Sequence, residues 1–225
     1  MDVSQEISDA GFALVPQVLT DIECERFAAE VSRSSSASGG TRSLLQNEWC
    51  RLLASQLRQH AFLKPLLQPS YVAVQCTYFE KSSSRNWLVP VHQDLSIPVA
   101  KRVEHSSLSG WSEKEGALFV QAPVGILQQL LAVRVHLDGC AENDGPLRVV
   151  PGSHALGRVG PEAAVAARLS SPEFVCFAPR GSVLAMRPLL LHSSSKATGT
   201  SLRRVLHFLF GPRDLPLGLR WQDAV

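Results

Sequence analysis

The first third of the chain carries apolar residues at helical spacing, and two helices are predicted there. The first begins where Thr20 and Glu23 form the Ser/Thr-x-x-Glu pattern whose side chains cap the free amides of a helix start. Its apolar positions are Ile22, Phe27, Ala28 and Val31. The second helix has apolar positions at Trp49, Leu52, Leu53 and Leu57. It should end before the proline at 65 or 69, and residues 33–40 between the helices predict a polar loop.

From Tyr71 onward, short apolar and β-branched runs alternate with Gly, Pro, Ser and Asn, which is typical of strands joined by loops. Strands are predicted over residues 71–79, 87–93, 117–121, 130–138, 146–150, 173–178, 182–187 and 202–210. Helices come first and strands follow, without the alternation that a parallel sheet requires. We therefore predict a mainly β fold, a double-stranded β-helix (jelly roll, cupin-like) with N-terminal helices packed outside it.

Length and composition fit one domain. The 225 residues are 45% hydrophobic, so we predict a single domain over 1–225, with a helical part at 1–69 and a jelly-roll core at 70–225. The 22 basic and 20 acidic residues are well mixed, which argues against nucleic acid as a partner. Neither a secretory signal pattern nor an apolar run of about 18 residues is found, so no membrane association is expected. Five cysteines without a CxxC pair favour a cytoplasmic protein with buried thiols.

A His-x-Asp triplet occurs twice. His92 and Asp94 lie in "VPVHQDLSIP", and His136 and Asp138 lie in "RVHLDG". Side chains two positions apart on a strand point to the same side, so either triplet can direct an imidazole and a carboxylate at one metal ion. The second triplet continues a polar strand face that includes Arg134, and this charge partner explains it without a metal. The first precedes an irregular loop, where a strand end would deliver ligands to the mouth of a barrel.

A metal site of this kind needs a third ligand. His192 follows the apolar stretch "RPLLL", where a single histidine is more often a hydrogen-bonded core residue than a ligand. Arg203 and Arg204 open the next apolar strand, and one of the two must face inward. An inward guanidinium needs an anion, which is either a bound carboxylate or an Asp or Glu of the protein.

Several segments, in this order, resemble one known family. They are "YFEKSSSRNWLVPVHQDLSI", "HLDGCAENDGPLRVVPGSHALG", "RPLLLHSSSKAT", "RRVLHFLF" and "LPLGLRW", with "DAGFALVPQVLTDIECERF" as the entry segment. Together they resemble the phytanoyl-CoA dioxygenase-like branch of the non-haem iron, 2-oxoglutarate-dependent oxygenases, over nearly the whole chain.

The resemblance implies a role for each candidate residue. It makes His92, Asp94 and His192 the iron ligands, and it places Arg203 and Ser194 at the distal carboxylate of 2-oxoglutarate. The implied activity is that of an Fe(II)- and 2-oxoglutarate-dependent dioxygenase, which uses O2 to hydroxylate a small molecule and releases succinate and CO2. Two alternatives stay open: a non-catalytic jelly-roll protein that binds a metal or ligand, and a cupin-type metal enzyme that does not use 2-oxoglutarate.

The resemblance says less about the substrate. Gln75 would contact the co-substrate, as a glutamine does in this region of ectoine hydroxylase. Arg134 occupies a position where many relatives carry Trp, so Arg134 and His136 form either a polar wall towards the substrate or a structural pair with Asp138. Further residues expected to form or cover the pocket are Lys81, Asn86, Trp87 and the loop 103–116.

Overall fold

The computed structural model describes residues 2–34 and 40–225. Its helices are α1 (Val3–Asp9), α2 (Asp21–Ser34), α3 (Glu48–Gln59), α4 (Val124–Leu127) and α5 (Pro161–Ser170). Its strands are β1 (Phe12–Val15), β2 (Gly40–Thr41), β3 (Tyr71–Lys81), β4 (Val89–His92), β5 (Ser96–Val99), β6 (Ser109–Lys114), β7 (Ala117–Gln121), β8 (Leu131–His136), β9 (Leu147–Val149), β10 (Phe174–Cys176), β11 (Val183–Met186), β12 (His192–Ser194) and β13 (Arg203–Pro212).

Antiparallel sheets form the main part of the molecule. A six-stranded sheet has the order β1-β11-β8-β13-β3-β2, and a four-stranded sheet has the order β10-β9-β12-β4. A three-stranded sheet, β5-β7-β6, adds a further wall. Apolar side chains from all three sheets meet in one inner core, which includes Val74, Ala132, Val149, Ile97 and Val120. The predicted jelly roll is therefore confirmed.

A second apolar core lies on the other face of the six-stranded sheet. There the helices α2 and α3 supply Phe27, Val31, Leu53 and Leu57. The sheet supplies alternate residues of β8 and β13, namely Val133, Val135, Leu206 and Phe208. This packing confirms that the N-terminal helices lie outside the jelly roll. It leaves the other face of β8 and β13 directed at the interior between the sheets.

Both predicted N-terminal helices form. The backbone N–H of Thr20 donates to Oε2 of Glu23 (2.8 Å), and the N–H of Glu23 donates to Oγ1 of Thr20 (3.3 Å), which is the expected capping box. Helix α3 ends at Gln59, before the prolines. The polar loop predicted over 33–40 includes residues 35–39, which lie outside the described residues.

Several elements were not predicted from the sequence. Strand β1 lies in the apolar stretch "FALV" and pairs with β11. Its Phe12 belongs to the inner core and its Ala13 and Val15 to the outer core, so burial of both faces removes the alternation that marks a strand. The helices α1, α4 and α5 and the strands β2, β5, β6 and β12 were missed as well, and most of them are short.

Two broader expectations can be compared with the structure. All five cysteines are buried and free of disulfide bonds, as their scattered positions predicted. Within the described residues, every helix is too short or too polar to cross a membrane.

Candidate metal centre

Strand pairing brings two distant histidines together. Strand β12 pairs with β4, and His192 lies directly opposite His92. Their ring centroids are 4.2 Å apart. Asp94 follows β4 and places its carboxylate oxygens 3.8 Å from Nε2 of His92 and 3.7 Å from Nε2 of His192. One ligand atom from each of the three residues lies within 4.8 Å of the others, so the group can hold one metal ion.

Backbone carbonyls fix the orientation of both imidazoles. Nδ1 of His92 donates to the carbonyl of Pro90 (2.9 Å), and Nδ1 of His192 donates to the carbonyl of Leu190 (2.9 Å). With the proton on Nδ1, each Nε2 keeps its lone pair facing Asp94, as metal ligation requires. Burial also lowers the pKa of His192 to about 4, so this imidazole is neutral at pH 7. The donor set, two imidazoles and one carboxylate, suits a divalent transition metal.

Asp94 is held as a carboxylate. Burial alone would raise its pKa, but the electrostatic interactions with His192, His207 and His92, each acting in its protonated form, and with Arg134 outweigh burial, and the pKa lies below the ordinary value. The backbone N–H of Asp94 donates to the carbonyl of Pro188 (2.9 Å), which fixes the start of the loop.

Gln93, between the two ligands, points the other way and anchors the segment. Its Nε2 donates to the carbonyls of Gly157 and Leu189, both at 2.7 Å, and its Oε1 accepts from the N–H of Val159 (3.0 Å). These bonds tie the ligand-bearing strand end to two other loops. The sequence analysis missed this role, although a glutamine between two ligand positions, which alternation directs to the opposite side, is a usable signal for it.

The three residues border a cavity of about 440 Å³ between the sheets. The six-stranded sheet presents polar and charged side chains to the cavity, whereas the opposite wall of the cavity is largely apolar. The predicted residues that line it are Gln75, Lys81, Trp87, His92, Asp94, Arg134, His192, Ser194 and Arg203. The apolar wall includes Leu95, Ile97, Phe119, Leu127 and Leu147.

One end of the cavity carries two buried cations. Arg203 is only 5% exposed, and its Nη1 donates to the carbonyl of Gly145 (2.7 Å), while its Nε has no partner. Lys81 is paired with it across β3 and β13, and Nζ of Lys81 donates to Oγ of Ser194 (2.9 Å). Burial and the charge of Arg203 lower the pKa of Lys81 to about 8. A carboxylate placed here would meet two cations and a hydroxyl group.

Arg204 faces the opposite way, as strand alternation requires. Its Nε and Nη2 each donate to Asp138 at 2.8 Å. The expected pairing of Arg134 with Asp138 is therefore wrong. Asp138 lies beyond the end of β8 and turns to Arg204, while Arg134 stays on the inner face of the strand and lines the cavity.

Arg134 and His136 differ in their surroundings. Nη1 of Arg134 donates to Nδ1 of His207 (3.1 Å), and the guanidinium lies 5.6 Å from the centre of the Phe79 ring. His136 is 3% exposed, and neither ring nitrogen has a hydrogen-bond partner. Burial lowers the pKa of His136 to about 3, so it is neutral. His136 is not among the residues that line the cavity, so the expected polar wall consists of Arg134 without it.

Of the remaining pocket candidates, some line the cavity and one lies outside its lining. Gln75 lines the cavity and donates to Oγ1 of Thr77 (2.8 Å), and Trp87 lines it as well. Asn86 instead bonds to both backbone groups of Ala197, at 2.7 and 2.8 Å, and stabilises the loop after β12 outside the cavity lining.

The predicted pocket loop 103–116 contains strand β6 and the turn into β7. Residues Glu115 and Gly116 both have positive φ (52° and 75°), as a two-residue hairpin turn requires. Lys114 is the residue of this segment that reaches the cavity. Glu115 pairs with Arg42 (2.8 Å), a further lining residue, so the segment supplies part of one wall.

Fold and site together define a jelly-roll protein with a His-Asp-His metal centre at the edge of an internal cavity. Residues 7–205 match the family described as Phytanoyl-CoA dioxygenase (PhyH). The chain belongs to this family. A search of curated proteins found no match.

Solved structures with the same fold have low sequence identity. The non-heme alpha-ketoglutarate-dependent epimerase SnoN from nogalamycin biosynthesis is 17% identical, with a TM-score of 0.69 over 99% of this chain and 88% of SnoN. HygX from Streptomyces hygroscopicus, with nickel and 2-oxoglutarate bound, is 18% identical, with a TM-score of 0.65 over 93% and 86%. EctD from S. alaskensis is 14% identical, with a TM-score of 0.69 over 96% and 80%.

Proposed function

We propose that this protein is an Fe(II)- and 2-oxoglutarate-dependent dioxygenase that hydroxylates a small molecule. The observation that carries the proposal is the content of one cavity: a His-Asp-His group at its edge and the buried cations Lys81 and Arg203 at one end. A metal that binds His92, Asp94 and His192 keeps further coordination positions open. A keto acid with a second carboxylate can fill such positions and also reach the cationic end.

The residues of the chain match the two ends of 2-oxoglutarate. Arg203 and Lys81 would bind the distal carboxylate, and the hydroxyl group of Ser194 would donate to it, because all three line the same part of the cavity. The unpartnered Nε of Arg203 is a donor that such a carboxylate satisfies. Gln75 lies further along β3 and would contact the co-substrate from the side.

Iron with 2-oxoglutarate and O2 supplies oxidation of a C–H bond, with release of succinate and CO2. The protein contributes position and exclusion of water. Arg203 fixes the direction of the co-substrate, and the carbonyl-bonded imidazoles of His92 and His192 present Nε2 to the metal. The apolar wall keeps water away from the reacting face of the cavity.

The comparisons support the cofactors of this proposal. HygX holds nickel and 2-oxoglutarate, and SnoN has been crystallised with Fe3+, alpha ketoglutarate and nogalamycin RO. SnoN is an epimerase and SnoK a carbocyclase, so the shared fold serves more than one reaction. We choose hydroxylation over halogenation because Asp94 supplies a carboxylate ligand at the position where related halogenases bind their halide.

Turnover of 2-oxoglutarate without a substrate tests the proposal. Wild-type protein with Fe(II) and O2 should convert 2-oxoglutarate slowly to succinate, measured by mass spectrometry. Asp94→Ala should abolish this conversion and weaken metal binding, because it removes one of three ligands. His136→Leu changes the other triplet and should leave both unchanged. Wild-type metal binding without succinate formation would favour the non-catalytic protein or the cupin-type enzyme.

A further inference from the structure

Arg134 is a buried cation without a direct ion-pair partner among the described residues; the nearest carboxylate, Asp94, lies behind His207, 3.9 Å from its Nε2. Arg134 is 7% exposed and projects from β8 into the cavity. Its Nη1 donates to the neutral ring of His207, and its Nε has no hydrogen-bond partner. Among the described residues, no carboxylate forms an ion pair with it, and Asp138, its expected partner, is bound to Arg204.

Such an arrangement is unfavourable for the protein alone. A buried guanidinium without an anion loses its hydration and gains little in return. Burial and the charge of Arg203 lower the pKa of Arg134 to about 10, which shows the same cost while leaving the group charged at pH 7. The Phe79 ring, 5.6 Å away, and the bond to His207 hold the guanidinium in place. The geometry therefore resembles a binding group held ready for an anion.

The co-substrate does not account for this cation. In the proposed function, on which this inference rests, 2-oxoglutarate directs its distal carboxylate to Arg203 and Lys81 and its keto acid to the metal. Arg134 lies opposite His207, four positions along β13 from Arg203, so the backbones of these two positions are about 13 Å apart along the strand, although the charge of Arg203 still acts on Arg134. Among the described residues, five cationic side chains line the cavity, of which Arg42 pairs with Glu115, while Asp94 is the one carboxylate in the lining, so a metal ion with a dianionic co-substrate leaves positive charge uncompensated.

The opposite wall of the cavity indicates the chemistry of the rest of the substrate. Ile97, Phe119 and Leu127 line the cavity from outside the six-stranded sheet. A volume of about 440 Å³ is suitable for small molecules. We propose that the substrate carries an anionic group, a carboxylate or a phosphate, which pairs with Arg134, and an apolar portion that packs against this wall.

Matched probes test the proposal without knowledge of the substrate. Zinc-loaded protein saturated with 2-oxoglutarate is titrated calorimetrically with 4-phenylbutyrate, with phenyl phosphate and with the neutral amide 4-phenylbutyramide. At least one anion should bind tenfold or more tightly than the amide, and the tighter of the two identifies the anionic group. Equal binding of the amide and both anions to wild-type protein would overturn the proposal, and this comparison needs no variant.

Variants then assign the preference to a residue. Arg134→Met should remove the preference for the anion, and Arg134→Lys should retain part of it, while the affinity for 2-oxoglutarate stays within threefold of wild type. Arg204→Met is the matched control and should keep the preference. If Arg134→Met weakens the binding of 2-oxoglutarate as strongly as it weakens the binding of the anionic probes, Arg134 binds the co-substrate and the proposal fails.

The two proposals can fail separately. Absence of 2-oxoglutarate binding to the wild-type zinc protein would contradict the proposed function. The comparison of anion and amide can still be made on that protein, and wild type beside Arg134→Met then decides the role of Arg134.

Discussion

Arg203→Met is the most direct test of how the co-substrate is held. Arg203 is almost completely buried and has one strong bond of its own, to the carbonyl of Gly145 (2.7 Å). Methionine fills a similar volume without the charge. The free energy of unfolding should therefore change by no more than about 1–2 kcal/mol, because loss of one bond is offset by removal of a buried cation.

The effect on 2-oxoglutarate should be much larger. A guanidinium can give a carboxylate two hydrogen bonds, and a bond to a charged group contributes about 1.5–3 kcal/mol. Loss of both amounts to about 3–6 kcal/mol, and tenfold in affinity corresponds to about 1.4 kcal/mol. Lys81 and Ser194 remain at the same end of the cavity. We expect the dissociation constant of 2-oxoglutarate to rise at least about 100-fold.

Calorimetric titration of zinc-loaded protein with 2-oxoglutarate measures this change. Arg204→Met provides the control, because the same residue type is removed from the adjacent position on the opposite face. It should leave the dissociation constant unchanged and lower stability by about 1–3 kcal/mol through loss of the Asp138 pair. A change below threefold for Arg203→Met, or an equal loss in both variants, would refute the assignment.

Three further outcomes are expected. His136→Leu removes a buried ring with two unpartnered nitrogens, so the free energy of unfolding in urea should rise by about 1–3 kcal/mol, and a fall would show that His136 has a polar role. Burial lowers the pKa of Lys81 to about 8, and a bound carboxylate favours the charged form. Affinity for 2-oxoglutarate should thus fall by up to about tenfold per unit as pH rises above 8, and a Lys81→Met variant should lack this decline. Gln93→Leu removes three bonds behind the ligands and should weaken zinc binding by about 10–100-fold, whereas unchanged zinc affinity would limit Gln93 to a structural role.

Helices and strands with one buried face could be predicted from the sequence. Helices α2 and α3 pack only one side against the six-stranded sheet, so their apolar positions recur at helical spacing. Strand β1 has both faces buried and presents only a short apolar run. Strand β12 is three residues long, and its existence depends on its neighbours β4 and β9. Short segments of this kind have no period to detect.

The candidate site could also be predicted only in part from the sequence. Spacing along one strand shows which side chains share a face, and it sufficed to pair His92 with Asp94 and to place one of two adjacent arginines inside. It did not show that Asp138 would bind Arg204 instead of Arg134. Two His-x-Asp triplets have the same local geometry, and they differ in what lies across from them.

By itself, then, the sequence determined the order of helices and strands, the alternation that directs one of Arg203 and Arg204 inward, and, through the family resemblance, three candidate ligands. Only the tertiary structure decided that His192 lies opposite His92, that Lys81 joins Arg203 at one end of the cavity, and that Arg134 lines the cavity and contacts His207, with no ion pair among the described residues. The physical reason is that side-chain direction follows from neighbours two positions away. Strand register and the closure of a cavity depend instead on segments about a hundred residues apart, whose pairing appears only when the sheets have packed together.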